Sequence, residues 1–180
     1  MSEFNGISAT DLVTLKADIV AAKHYCQKCN DSLLISPDGL KNEIKEVLVD
    51  TFTITGSDRD QVNEIRLKFL AFASRIDNSD FNGVSEENAP AEAKTFAAYV
   101  KSNDSKNIFL VQPKFFTNTD KERALTLIHE YIHLLNPGDG HPGFENRIPI
   151  IFDRQKLNVP FDKAILNAYC YHYYAHWLPS

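Results

Sequence analysis

The sequence predicts an α+β domain in which helix exceeds sheet. Apolar residues recur at helical spacing in the segments 8–29, 40–49 and 58–76, which is typical of helices with one buried face. Two shorter segments, 95–100 and 107–111, are rich in β-branched and aromatic residues and flank a turn-forming stretch. With 180 residues, of which 43% are hydrophobic and 24% charged, the chain has the size and composition of one globular domain.

The first half of the chain is expected to be helical after a frayed start over residues 1–8. Ser8 is a good helix-capping residue and is expected to open the first helix. Residues 30–39 contain a Pro-Asp-Gly turn and are expected to form a loop. Residues 51–55, Thr-Phe-Thr-Ile-Thr, favour strand geometry, so a short extended link is expected before the third helix.

The second half is expected to hold the sheet and two further helices. Residues 77–92 are polar and are expected to form a loop, which precedes a hairpin that turns at residues 103–106. A helix is expected from the capping residues Thr117–Asp120 to Asn136, because apolar residues recur on one face and Pro-Gly follows. The last helix is expected to run from Pro160 to Trp177.

Charge and hydropathy exclude nucleic acid, a membrane span and a signal peptide from the expectations for this chain. The net charge is −5 and no basic block is present, so nucleic acid is not an expected partner. No apolar run approaches the ~18 residues of a membrane span. The start of the chain has no basic region followed by an apolar stretch, so no Sec-type signal peptide is expected here. We expect a monomer that acts on a protein or peptide.

The predicted helix before Asn136 contains the pattern His129-Glu130-x-x-His133. Residues four apart lie on the same face of a helix, so both imidazoles can bind one ion. Glu130 stands beside that ion, where it can take a proton from a water molecule. Neutral imidazole suits Zn²⁺, which keeps one position open for water in catalytic sites. The alternative without a metal site is an amphipathic helix that carries two solvated histidines.

A catalytic zinc site needs a third protein ligand, and two candidates follow the helix. Asp139 stands six residues after His133, a spacing known from zincins, and His141 stands eight residues after it. Neighbouring glycines allow the backbone to return to the metal in either case. Five of the six histidines fall in the last 52 residues, which favours a histidine-rich site without deciding between the two.

The three cysteines are a weaker signal. Cys26 and Cys29 form a C-x-x-C pair with His24 close before it, but a structural zinc site needs more ligands than these. We interpret the pair as incidental thiols, with a local disulfide or a metal site as the alternatives. Cys170 is expected to be a small core residue of the last helix.

The second half of the chain resembles the deuterolysin family of zinc endopeptidases, also called aspzincins. The family has a strand ending near an aromatic pair, a Leu-(Ile/Val)-His-Glu-x-x-His helix, a glycine-containing loop, and a helix with an Asn-Ala start and an aromatic pair. The counterparts here are residues 95–100, 108–116, 126–133, 138–144 and 164–175. The resemblance implies a mainly helical zincin-like domain with a small antiparallel sheet or hairpin beside the HExxH helix.

The departures from the family pattern shape the expected site. His141 stands where the family has its metal-binding aspartate, so the resemblance favours His141 over Asp139 as third ligand. Phe144 stands where the family has a tyrosine that supports the oxyanion. Tyr169 and His172 replace the acidic residues of the lysine-specific branch, and we expect them to bind an apolar or aromatic substrate side chain. The family's disulfide cysteines are absent, which fits an intracellular or bacterial protein better than a secreted fungal one. The compartment stays open: without a signal peptide, a bacterial cytoplasmic location and export by a non-Sec route are the two options considered.

We therefore expect a zinc-dependent metallo-endopeptidase in which His129, His133 and His141 hold Zn²⁺ and Glu130 is the general base. The strand at residues 109–111 is expected to offer its edge to an extended peptide. One alternative is a pseudopeptidase, a catalytically impaired zinc-binding module that recognises a protein partner. Another is a metal-dependent amide hydrolase with a non-peptide substrate. The intact Glu130 favours an enzyme, because a structural zinc site does not need it.

Overall fold

In a computed structural model of the chain, the described residues are 2–34, 39–54, 58–136, 141–142 and 154–179. The helices within these ranges are α1 Ala9–Ser32, α2 Asn42–Phe52, α3 Arg59–Arg75, α4 Lys114–Thr117, α5 Asp120–Leu135, α6 Phe161–Ala164 and α7 Ala168–Trp177. The strands are β1 Phe4–Asn5, β2 Asp80–Ser85, β3 Ala98–Tyr99 and β4 Asn107–Gln112. The α+β class with a predominance of helix is confirmed. No helix in the described ranges combines the length and apolar character needed to cross a membrane.

The four strands form one sheet in the order β1-β2-β4-β3. The predicted hairpin is present, because β3 pairs antiparallel with β4 and places Tyr99 opposite Phe109. The expected small sheet is larger than an antiparallel hairpin, because β1 pairs parallel with β2 and β2 pairs parallel with β4. Phe4 and Asn5, inside the segment expected to be frayed, are ordered by this pairing, since Phe4 pairs with Phe81 and their rings stack.

Strand β2 lies in the segment 77–92, which was expected to be a loop. Its polar residues are typical of a loop, but in the structure they have hydrogen-bonding partners in the sheet. The Asp80 carboxylate accepts from the backbone N–H of Glu3 and forms an ion pair with Lys106 at 2.6 Å. The Asn82 amide donates to Asn107 on β4. Side chains that are satisfied in this way allow a polar sequence to occupy a central strand.

The expected extended link at residues 51–55 is wrong at residues 51–52, since α2 continues to Phe52 and Thr53 follows as its C-cap. Phe52 is fully buried, and its ring packs against Tyr171 and Tyr174 of α7 with centroid distances of 5.0 and 6.0 Å. The Thr51 hydroxyl donates to the Val47 carbonyl one helical turn earlier. Tertiary packing thus overrides the local preference for a strand. Thr55 lies outside the described residues.

The core is formed where α1, α3, α5 and α7 pack together. Helix α5 contacts both α1 and α7, so the helix that carries the HExxH sequence lies inside the helical layer. The buried Arg123 of α5 pairs with the buried Asp18 of α1 at 2.7 Å. The three cysteines are buried and form no disulfide, and burial raises the pKa of each thiol. They are neutral core groups, in agreement with the interpretation as incidental thiols.

The expected last helix is divided into α6 and α7, which are separated by Ile165–Asn167. Asn167 restarts the helix, because its side-chain oxygen accepts a hydrogen bond from the Tyr169 backbone N–H at 2.9 Å. This interruption directs the first turn of α7 toward the histidines of α5.

The start of α5 is stabilised by a reciprocal capping box. The Thr119 hydroxyl accepts from the Glu122 N–H, and the Glu122 carboxylate accepts from the Thr119 N–H at 2.8 Å. We expect Thr119→Ala to lower the free energy of unfolding by about 1 kcal/mol, because the Glu122 backbone N–H loses its side-chain acceptor and the Glu122 carboxylate loses the hydroxyl donor. Urea unfolding followed by the fluorescence of Trp177, the single tryptophan, measures this change. An equal loss in the exposed Thr95→Ala control would contradict the capping explanation.

The same capping box has an expected pH dependence. Hydrogen bonds from the Thr119 backbone, then from its hydroxyl, lower the pKa of Glu122 below its ordinary value of 4.5. The carboxylate therefore stabilises the fold above pH 4.5, and this contribution is lost as the pH falls through the lowered pKa. The stability difference between wild type and Glu122→Ala should shrink over that range. A difference that stays constant down to the acid transition would contradict this account.

Candidate metal centre

Helix α5 places His129 and His133 one turn apart on the same face. His129 is 8% exposed, and His133 is half-buried one turn closer to the helix end. His141 lies beyond the end of the helix, and its ring reaches back to both of them. The local helix thus presents two of the imidazoles, and the tertiary fold presents the third.

The Nε2 atoms of the three histidines converge on one point. They lie 3.2 Å apart between His129 and His133, 3.1 Å between His133 and His141, and 3.0 Å between His129 and His141. Nitrogens that bind one tetrahedral Zn²⁺ at about 2.0–2.1 Å lie about 3.3 Å from each other. Within the described residues, this is the group of side chains whose ligand atoms lie close enough to hold a metal ion.

Burial favours the neutral, metal-binding form of two of the three imidazoles, His129 and His141. Burial, followed by the charges of the neighbouring histidines, lowers the pKa of His129 well below its usual range. Burial and then His133 lower the pKa of His141 to about 4. A neutral imidazole has one N–H and one lone pair, so three Nε2 atoms in mutual contact cannot all satisfy one another. A cation between them would accept all three lone pairs, so this donor set fits zinc.

Glu130 is buried beside the triad, with 6% of its surface exposed. Burial raises the pKa of this carboxyl to about 8, because desolvation disfavours the charged carboxylate. The group is therefore placed to exchange a proton near neutral pH.

The triad and Glu130 form one wall of a cleft of about 450 Å³. Residues between Pro90 and Ser102 form the facing wall, which includes Ala98 and Tyr99 of β3. The expected peptide edge at residues 109–111 is wrong, because β4 is flanked by β2 on one side and β3 on the other. Strand β3 lies at the end of the sheet formed by the described strands, so its outer edge is the one that borders the cleft.

Comparisons with known proteins find a similarity in structure but none in sequence. No protein-family model matches the chain, and no curated protein sequence matches it. Among solved structures, a zinc peptidase from Grifola frondosa superposes with a TM-score of 0.66, covering 93% of this chain and 95% of that chain at 18% identity. This chain has the fold of that zinc peptidase. The expected zincin-like α+β fold is thereby confirmed.

Tyr169 and His172, the two expected substrate-binding residues, lie in different places relative to the cleft. The Tyr169 ring lies against the metal-binding face, with its centroid 4.4 Å from the His129 ring and 4.5 Å from the His141 ring, and it lines the cleft. His172 lies behind His129 at 6.1 Å and hydrogen-bonds to the Leu125 backbone, away from the cleft wall. Burial lowers the pKa of His172 to about 4.

Two residues considered in the sequence lie outside the described residues. They are Asp139, the other candidate for the third ligand, and Phe144, at the position of the family's tyrosine. His24 is exposed on α1 while Cys26 and Cys29 point into the core, so these three do not gather into a metal site in the described structure.

Two features of this site were not predicted from the sequence. One is the facing wall between Pro90 and Ser102, which no motif marks and which reaches the histidines only through the folding of the hairpin. The other is Asn167, whose amide donates to the Pro142 carbonyl beside His141 at 2.7 Å. A helix-capping asparagine inside the predicted last helix was the available signal for Asn167.

Proposed function

We propose that the protein is a zinc-dependent endopeptidase. The observation that carries the proposal is the convergence of three histidine nitrogens, 3.0–3.2 Å apart, next to a buried glutamate at the wall of an open cleft. The zinc-peptidase fold of the chain supports the same conclusion.

His129, His133 and His141 would hold the zinc ion through their Nε2 atoms. When bound, the ion supplies Lewis-acid polarisation of the scissile carbonyl and acidifies a water molecule. Glu130 takes a proton from that water and later delivers it to the nitrogen of the leaving amine. Its position favours this role, because the carboxyl lines the cleft beside the three histidines.

The outer edge of β3 is the proposed place for the peptide backbone. An extended substrate can add to an exposed strand edge through backbone hydrogen bonds, and this edge borders the cleft beside the histidines. Ala93, Phe96 and Val100 supply apolar surface to the same cleft, and Tyr169 supplies an aromatic ring at the metal. We therefore propose a preference for apolar or aromatic side chains over lysine next to the cleaved bond.

The test is the digestion of casein and of a peptide library by zinc-loaded protein, with and without a chelator. We expect cleavage that stops with the chelator and returns when zinc is added, with apolar side chains enriched beside the cleaved bonds. Zinc binding without cleavage of any peptide would contradict the proposal and favour a zinc-binding interaction module. Cleavage restricted to non-peptide amides would instead favour a different hydrolase.

A further inference from the structure

The Asn167 side chain attaches the backbone beside His141 to helix α7. Asn167 is fully buried, and each of its polar groups has a partner. Its backbone N–H donates to Ala164 and its carbonyl accepts from Cys170. Its side-chain oxygen accepts from the Tyr169 N–H at 2.9 Å, and its Nδ2 donates to the Pro142 carbonyl at 2.7 Å.

Helix capping explains only half of this arrangement. An N-cap needs a side-chain acceptor, which serine, threonine or aspartate also provides. The donor on the same side chain serves a different purpose, because its partner is a carbonyl 25 residues earlier in the chain and next to His141. In Asn167 one side-chain atom, Oδ1, accepts from the helix while a second atom, Nδ2, donates to Pro142, and a side-chain amide provides these two separate atoms.

His141 needs such support more than the other two histidines. His129 and His133 are held by a continuous helix, whereas His141 lies beyond the end of α5. The first turn of α7 contacts this segment twice, through the Asn167 amide on Pro142 and through the Tyr169 ring on the His141 ring, 4.5 Å between centroids.

We propose that Asn167 is a positioning residue that holds His141 in the metal centre by anchoring the Pro142 carbonyl to the start of α7. The inference rests on the proposed zinc site, since it assigns the support of that site's third ligand. A metal site whose ligand is held by an outer residue loses about 10- to 100-fold in affinity when that support is removed.

The informative variants are Asn167→Asp and Asn167→Ser, which retain a capping acceptor for Tyr169 and lose the amide donor to Pro142. Zinc affinity is measured by competition with a fluorescent chelator, and the melting temperature is measured on the zinc-free proteins. We expect zinc binding to weaken about 10- to 100-fold in both variants. The visible absorption of the cobalt(II)-loaded protein should change with it, because cobalt reports the loss of a nitrogen ligand.

A double-variant cycle separates positioning from general stability. In the His141→Ala background, Asn167→Asp should leave the remaining zinc affinity unchanged, because the ligand that it positions is gone. Ser8→Ala is the matched control, since it removes the N-cap of α1 and should leave zinc affinity unchanged.

Three results are decisive. Wild-type zinc affinity in both Asn167 variants would overturn the inference, and so would an equal loss with and without His141. A wild-type protein that binds no zinc would instead overturn the proposed function, so the two failures are distinguishable.

Discussion

Replacing Glu130 by glutamine is expected to lower kcat/KM for a peptide substrate by about 100- to 10,000-fold while leaving zinc bound. Glutamine has nearly the same shape as glutamate but cannot accept the proton of the attacking water. Glu130 is adjacent to the three ligands and is not one of them, so the zinc content should remain at the wild-type level. A fluorogenic peptide assay and elemental mass spectrometry on the same sample measure the two quantities.

The structure also predicts that this variant stays folded. The raised pKa of Glu130, about 8, means that burial disfavours its charged form in the zinc-free protein, and glutamine removes that charge. Glu43→Gln, on the exposed side of α2, is the matched control and should leave activity unchanged. If Glu130→Gln retained more than about a tenth of the activity, the general-base role would be wrong. If it lost its zinc, Glu130 would be a ligand.

The second large effect is expected from His141→Ala, which should weaken zinc binding by more than the 10- to 100-fold typical of outer-shell changes. The variant removes one of three nitrogens that lie 3.0–3.1 Å from the other members of the triad. Elemental mass spectrometry after dialysis should find about one zinc per chain in wild type and a large loss in the variant. Hydrolysis should fall with the zinc content.

Two companion variants test the assignment of the third ligand. His24→Ala removes an exposed histidine of α1 and should bind zinc as wild type does, which controls for histidine loss in general. Asp139→Ala removes the alternative ligand and should also retain zinc under the proposal. Loss of zinc in Asp139→Ala alone would contradict the assignment of His141 and would move the third ligand to the aspartate.

The sequence was most informative where the structure depends on near neighbours in the chain. Helix α5 begins and ends close to the predicted residues, because capping by Thr119 and an apolar face are properties of adjacent residues. The orientation of His129 and His133 toward a common point follows from helix geometry alone. The hairpin of β3 and β4 was predicted for the same reason, since its turn and its strands are close in sequence.

The sequence was misleading where packing or distant pairing decided the outcome. Residues 51–52 have strand propensity, but the buried contacts of Phe52 with α7 keep them helical. The polar strand β2 was mistaken for a loop, because its parallel partners β1 and β4 are far from it in sequence. The same pairing places β4 inside the sheet, so the edge that borders the cleft is β3.

The sequence by itself determined the side chains at the centre of the proposed site: a helix that presents two imidazoles and a carboxylate in the HExxH arrangement typical of zinc hydrolases. The tertiary structure decided how the centre is completed. His141 meets the triad at 3.0–3.1 Å, Tyr169 lies against two of its rings, and Asn167 reaches the Pro142 carbonyl across 25 residues. A helix specifies its own surface through contacts three and four residues apart, whereas a third ligand on another segment is placed by contacts that exist only after the chain has folded.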